Sequence, residues 1–113
     1  MLCLSLVGFV TLACCRGDYV DESLIGAHES VVYQKYGRPS AVGTLLIHPD
    51  SSYMGVRSPL PYIIRKRGAT DFTELGEIAY SRDDGVQMRV WTIETEKGDV
   101  VIDNIIWPPC VVY

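Results

Sequence analysis

A chain of 113 residues with 48% hydrophobic and 21% charged residues fits one small globular domain, and this composition excludes intrinsic disorder. The net charge of -4 argues against non-specific binding to nucleic acid, because such binding needs a basic face that neutralises phosphates. No apolar run reaches the roughly 20 residues of a membrane-spanning helix, so the sequence predicts no integral span.

The N-terminus has the pattern of an export signal. Residues 2–13 form a nearly uninterrupted apolar run that has the length of a signal-peptide core and ends at Cys14-Cys15. Residues 11–14, Thr-Leu-Ala-Cys, resemble a bacterial lipobox, in which a small residue precedes the cysteine that is lipidated. Cys14 is the preferred anchor and Cys15 the alternative. No Lys or Arg precedes the run, and a buried N-terminal strand or helix is the competing interpretation.

The remaining cysteines and the histidines predict neither a disulfide framework nor a metal site. Cleavage of the signal would remove Cys3, and lipidation would use either Cys14 or Cys15. Only the other cysteine of that pair and Cys110 would then remain. Whether Cys110 pairs stays open. The two histidines lack the spacing of zinc ligands, so no metal and no cofactor are expected.

A helix is predicted before residue 37. Its start lies near His28 or in the cluster 21–23, while Gly37 caps its end and Pro39 prevents its continuation. The apolar positions that recur at the helical period are Leu24, Ile25, Ala27, Val31, Val32 and Tyr36.

The middle of the chain is predicted as mostly irregular. Residues 44–48 have the character of a short strand, and residues 51–61 read as loop because of their prolines. Residues 62–68 are predicted as a strand that ends in charge. Its three basic side chains, Arg65, Lys66 and Arg67, are candidates for contact with anionic lipid or with an acidic partner protein. The alternative interpretation is that they belong to a solvated strand end or loop.

The C-terminal third predicts an antiparallel meander. Residues 77–82, 86–96 and 100–107 are rich in β-branched and aromatic side chains, and Asp-Asp-Gly and Lys-Gly-Asp turns separate them. One face of this sheet is apolar and needs a cover, which the upstream helix supplies. The predicted fold is therefore α+β, with one principal N-terminal helix packed on a three- to four-stranded antiparallel meander sheet. The predicted division is a signal peptide over 1–14, a tether over 15–23 and one domain over 24–113.

The helix and its turn carry a family resemblance. The segment GAHESVVYQKYGRP resembles the helix-and-turn signature of the SmpA/OmlA (BamE-like) family of small bacterial envelope lipoproteins, through Gly26, Val32, Tyr36, Gly37 and Pro39. The region 40–76 is longer than in the family. The resemblance implies a part in outer-membrane integrity or in the assembly of β-barrel proteins, with other envelope proteins as partners.

No motif of enzymatic chemistry is present in the sequence. It lacks a Gly-x-Ser-x-Gly segment, a phosphate-binding glycine loop and a metal-ligand pattern. The adjacent acids 83–84 are typical of a turn. We therefore expect a non-enzymatic protein, held at the periplasmic face of the outer membrane by its N-terminal lipid.

The alternative function is that of a secreted or periplasmic inhibitor or small-ligand module on a similar α+β scaffold. Aromatic side chains discriminate between the two hypotheses, because a cluster on a concave sheet face would form a binding hot spot. Trp91 is the candidate binding residue among them, and the others in the set are Tyr33, Tyr53 and Tyr62.

Overall fold

A computed structural model describes residues 17–51 and 59–109, which form an α+β fold around one antiparallel sheet. The strands follow one another in the order β1-β2-β3-β4, so the predicted class and the predicted meander are confirmed. Two helices, rather than one principal helix, accompany the sheet in this part of the chain. The elements are α1 (Glu29–Tyr36), β1 (Ala41–Ile47), α2 (Leu60–Lys66), β2 (Thr73–Ser81), β3 (Gln87–Thr95) and β4 (Gly98–Trp107).

The two predicted tight turns join the last three strands. Between β2 and β3, the Arg82 N–H donates to the Val86 carbonyl at 2.9 Å, and Gly85 has a φ of +91°. Between β3 and β4, Thr95 pairs with Gly98, whose φ is +98°. Glycine occupies both positions because a positive φ is costly for side chains with a Cβ.

Helix α1 begins and ends at the residues that its sequence predicts. His28 caps the start through Nδ1, which accepts a hydrogen bond from the Ser30 N–H at 3.1 Å. Gly37, with a φ of +83°, donates its N–H to the Tyr33 carbonyl at 2.9 Å. Ahead of α1, Asp21 caps a short 3₁₀ turn, Glu22–Leu24, so both predicted starting points act as caps.

The first face of the sheet, which carries Ile78 and Val90, packs against α1 and the 3₁₀ turn. Val32 of α1 is fully buried there, and Tyr33 and Tyr36 pack beside it. The buried members of this core are Leu24, Val32, Ile78, Tyr80, Met88, Val90, Val101 and Ile106.

The second face, which carries Leu75 and Ile102, packs against α2. The prediction of a strand over 62–68 and of a loop through Pro61 was wrong here. Proline is tolerated in the first turn of a helix, where its missing N–H has no intrahelical partner. Leu60 and Ile64 lie one helical turn apart and are both buried, so the apolar spacing favours a helix.

An irregularity in β4 allows this strand to serve both cores. Trp91 pairs with Asp103 and Thr92 with Val101, so Ile102 is the extra residue of a β-bulge. Val101 consequently belongs to the core of the first face, whereas Ile102 belongs to that of the second.

The segment before α1 lies along the outer edge of β4. Tyr19 and Ile106 exchange two backbone hydrogen bonds, of 3.0 and 2.8 Å. The Gly26 N–H donates to the Val101 carbonyl, and the Val101 N–H donates to the Ala27 carbonyl, both at 2.8 Å. Part of the region predicted as a tether is therefore paired with the sheet.

A buried asparagine completes this attachment. The Asn104 side chain has no exposed surface and lies opposite the backbone of Asp21. Its Oδ1 accepts from the Asp21 N–H at 2.8 Å, and its Nδ2 donates to the Asp21 carbonyl at 3.0 Å. The amide thus takes the place of a backbone pair between the N-terminal segment and β4.

We expect Asn104→Ala to lower the free energy of unfolding by about 2 to 3 kcal/mol, because both groups of the Asp21 backbone lose their partner. The measurement is denaturant unfolding followed by circular dichroism. Gln34→Ala is the matched control, since it removes an exposed amide, and it should change stability by less than about 0.5 kcal/mol. Equal effects of the two substitutions would contradict the prediction.

Candidate functional site

The first face of the sheet extends one strand beyond its helical cover. Val42 of β1 lies opposite Ile78 of β2, so its side chain is on the first face, which α1 covers at the other strands. The Val42 side chain is nevertheless 63% exposed. Leu46, on the same face of β1, is 60% exposed, and Phe72, immediately before β2, is 62% exposed. We call Val42, Leu46 and Phe72 the uncovered face.

The strand pairing brings these three side chains to one surface. Leu46 lies opposite Glu74, which places Phe72 on its diagonal, within the reach of an aromatic ring. The Phe72 ring meets the His48 ring edge-on, with 4.9 Å between the centroids. β1 itself carries no charged residue. Apolar side chains grouped in this way on a soluble domain are typical of a contact surface for another molecule.

The predicted basic residues lie at the end of α2. The Arg65 guanidinium donates to the Pro49 carbonyl at 3.0 Å and lies 5.7 Å from the centre of the Tyr62 ring. The Lys66 Nζ lies 5.6 Å from the same ring. Arg67 lines a cleft of about 420 Å³ on the second face, together with the nearly buried Asp103, whose pKa is raised by burial. Cations at a helix C-terminus also interact favourably with its dipole.

Trp91, the predicted aromatic contact, lies on the second face and is half-buried. Its Nε1 donates to Glu77 Oε2 at 2.8 Å, across the strand pair that the two residues form. The packing of its ring against the α2 core indicates a structural role. The structure therefore places Trp91 and the basic residues on the side of the sheet opposite the uncovered face.

The aromatic side chains proposed as a hot spot do not form one cluster where they are described. Tyr33 packs in the core of the first face, Trp91 packs in the core of the second, and Tyr62 is exposed on α2. Tyr53 lies outside the described residues. This dispersal favours a scaffold role over a single aromatic binding site.

The sequence did not predict a polar cluster centred on the Asp21 carboxylate. One oxygen accepts from the Ser23 hydroxyl at 2.6 Å, and the other accepts from Lys35 Nζ at 2.6 Å and from the Tyr36 hydroxyl at 2.5 Å. The sequence had assigned Asp21 to a helix start or tether and Tyr36 to the core. The Asp-x-Ser capping pattern was the local signal for part of the cluster.

These contacts shift the pKa values of the two central groups in opposite directions. Burial acts to raise the pKa of Asp21, but hydrogen bonds from Lys35, Ser23 and Tyr36 together hold that pKa well below its usual range. Burial raises the pKa of the Tyr36 hydroxyl, and its hydrogen bond to Asp21 raises it further. At neutral pH the cluster therefore contains an ionised Asp21 carboxylate and a neutral Tyr36 phenol, and the phenol donates its hydrogen bond to the carboxylate.

A small cleft of about 180 Å³ lies beside this cluster. The rings of Tyr36 and Tyr80 are 6.0 Å apart at its wall, and the Tyr80 hydroxyl donates to the Gly37 carbonyl at 2.8 Å. The lining residues are Tyr19, Tyr36, Tyr80, Arg82, Asp84, Val86, Met88 and Ile106. The hydroxyls of Tyr36 and Tyr80 both donate to protein oxygens, so the walls of the cleft are mostly apolar and aromatic, and Arg82 and Asp84 supply its charged part.

The anchor and signature residues have the following places. Cys14 and Cys15, the predicted lipidation positions, lie outside the described residues, as does Cys110. The signature residues do lie within the structure: Gly26 pairs with β4, Val32 and Tyr36 face the core, and Gly37 and Pro39 follow α1.

Within residues 17–51 and 59–109, no cluster of three or more His, Cys, Asp or Glu side chains is arranged to hold a metal ion. In the same ranges, no helix has the length and apolar character to cross a bilayer. No protein-family model, curated protein or solved structure matches the chain.

We expect Asp21→Asn to reduce the stability of the fold at pH 7 and to flatten its dependence on pH in acid. Because the pKa of Asp21 is lower in the folded chain, its charge stabilises the fold above the unfolded-state value of about 3.9. That contribution is lost as the pH falls from about 4 toward the lower folded-state value.

The measurement is thermal unfolding of both proteins between pH 7 and pH 2. The difference between them should narrow below about pH 4. Asp83→Asn, in an exposed turn, is the matched control and should follow the wild type throughout. A constant difference across the whole range would contradict the role of the Asp21 charge.

Proposed function

We propose that this chain is a non-enzymatic, lipid-anchored protein of the bacterial cell envelope that binds another protein through the uncovered face. The observation that carries the proposal is the exposure of more than half of Val42, Leu46 and Phe72, which lie on the same face of the sheet. α1 serves as the cover of the first face, and its short length leaves this end of the sheet open.

The size of the uncovered face sets the strength of binding that it supports. Complete burial of one large apolar side chain contributes about 1.5 to 3 kcal/mol, so three partly exposed side chains supply roughly 3 to 5 kcal/mol. Association itself costs several kcal/mol, so this surface alone supports only weak binding. A lipid anchor offsets that weakness because it confines the domain near its partner and raises the effective concentration.

The anchor in this proposal is Cys14, with Cys15 as the alternative. The residue after the modified cysteine would be Cys15 or Arg16, and neither is the Asp that favours retention in the inner membrane. The outer membrane is therefore the proposed location. The resemblance to SmpA/OmlA proteins supports a part in outer-membrane integrity or in β-barrel assembly.

A second candidate function is small-ligand binding or inhibition, and the tyrosine-lined cleft is the observation in its favour. Its volume of about 180 Å³ lies below the roughly 300 Å³ at which drug-sized ligands begin to fit. We therefore rank this function second.

We expect the intact protein from membranes of a bacterial host to have lost its leader and gained the mass of one lipid-modified cysteine. Cys14→Ala should abolish the change in mass and release the protein from the membrane fraction, whereas Cys15→Ala should leave both unchanged. Intact mass spectrometry makes the measurement. A chain that retains residues 1–13 without modification would contradict the anchor.

A photo-reactive amino acid at position 72 should form crosslinks to a discrete outer-membrane protein in cells, because Phe72 is the aromatic member of the uncovered face and 62% of its surface is exposed. The same group at position 34, which is exposed on α1, should give no such product. Crosslinked species are identified by mass spectrometry after gel separation. Identical products from positions 72 and 34 would contradict the proposed surface.

A further inference from the structure

The outer edge of β1 is an unpaired strand edge in the described part of the chain. β2 pairs with the inner edge along the whole of Ala41–Ile47, while the other end of the sheet, at β4, is protected by the N-terminal segment. An edge strand presents a row of backbone donors and acceptors that can pair with another strand.

β1 lacks the usual protection against such pairing. Its sequence AVGTLLI contains no charged residue and no proline, both of which commonly block edge-to-edge contact. Val42 and Leu46 are exposed next to this edge and occupy symmetric positions on either side of Thr44.

We propose that β1 pairs antiparallel with β1 of a second copy of this chain, around a two-fold axis at Thr44. In this register Val42 lies beside the partner subunit's Leu46, and Leu46 lies beside the partner subunit's Val42. Thr44 meets the partner's Thr44, a pairing in which threonines stabilise neighbouring strands. The contact is self-complementary, as a two-fold interface requires.

The residues that flank β1 fit the same register. Pro39 and Pro49 are equidistant from Thr44 and lack the N–H that further pairing would need, so they bound the contact. The chain turns directly after β1, where the Ser51 N–H donates to the His48 carbonyl at 3.0 Å, so the contact is confined to Ala41–Ile47.

A shift of one residue would destroy these matches. It would set the first face of one copy beside the second face of the other, because side chains alternate between the faces of a strand. Val42 would then have a neighbour from the buried side of β1. The register centred on Thr44 keeps both uncovered faces on the same side of an eight-stranded sheet.

This contact uses the edge of β1, whereas the proposed function uses its face. Pairing would join two uncovered faces into one apolar surface across the two-fold axis. The inference goes beyond the proposed function and does not depend on lipidation, so failure of the anchor or of the crosslinks from position 72 would leave it intact.

The first test is the mass of the full chain in detergent, measured by sedimentation velocity over a range of concentrations. We expect a dimer, and we expect the double substitution V42K/L46K to give a monomer with an unchanged circular dichroism spectrum. The double substitution I25K/V31K introduces the same two charges at exposed apolar positions outside β1 and should remain dimeric. A monomer at all concentrations, or a dimer that survives V42K/L46K, would overturn the proposal.

The second test addresses the register through charge. The double substitution V42K/L46E places unlike charges beside each other across the two-fold axis, because position 42 lies beside position 46 of the second copy, and it should remain dimeric where V42K/L46K is monomeric. A V42K/L46E variant that is as monomeric as V42K/L46K would overturn the register.

Disulfide formation gives a third readout. Thr44→Cys should crosslink to its own copy under mild oxidation, because residues opposite each other have Cβ atoms about 5 Å apart. Val42→Cys should not, since its own copy lies four residues along the partner strand, roughly 13 Å away. The wild type sets the background from the four native cysteines. Crosslinking of Val42→Cys as fast as that of Thr44→Cys would overturn the two-fold axis at Thr44.

Discussion

The hydrogen bonds between the Asn104 side chain and the backbone of Asp21 fix the start of the domain on its last strand. A buried amide is costly unless its donor and acceptor are both satisfied, and Asp21 satisfies both at once. The same residue directs its carboxylate to Lys35 and Tyr36, so one position orients the N-terminal segment against α1 as well as against β4. The protected edge of β4 and the cover of the first face both depend on this connection.

The open end of the sheet follows from the shortness of the helices. α1 has eight residues and α2 has seven, and isolated helices of this length are unstable in water. Each depends on side chains that it buries in the sheet, Val32 on one face and Ile64 on the other. Neither helix is long enough to cover a sheet of four strands completely. The first face thus remains accessible at β1 because α1 is too short to cover that strand, and no special local structure is needed to expose it.

The sequence predicted those elements whose signals are local. The hairpins of β2, β3 and β4 carry glycine at the turns that need it, and α1 has a cap at His28 and a stop at Gly37. The prediction failed for α2, because prolines that interrupt a helix interior are also tolerated in its first turn. The contact of Asp21 with Asn104 joins residues 83 positions apart and has no local signal. The exposure of the uncovered face depends on packing between distant elements, which a single sequence does not show.

The sheet order has a consequence for the synthesis of this protein. Neighbouring strands of the meander are also neighbours in sequence, so β1 to β4 can pair one after another with short loop closures. The N-terminal segment precedes all four strands in the chain, yet its partners lie on β4, the last of them. The domain therefore cannot complete its fold until β4 has been synthesised.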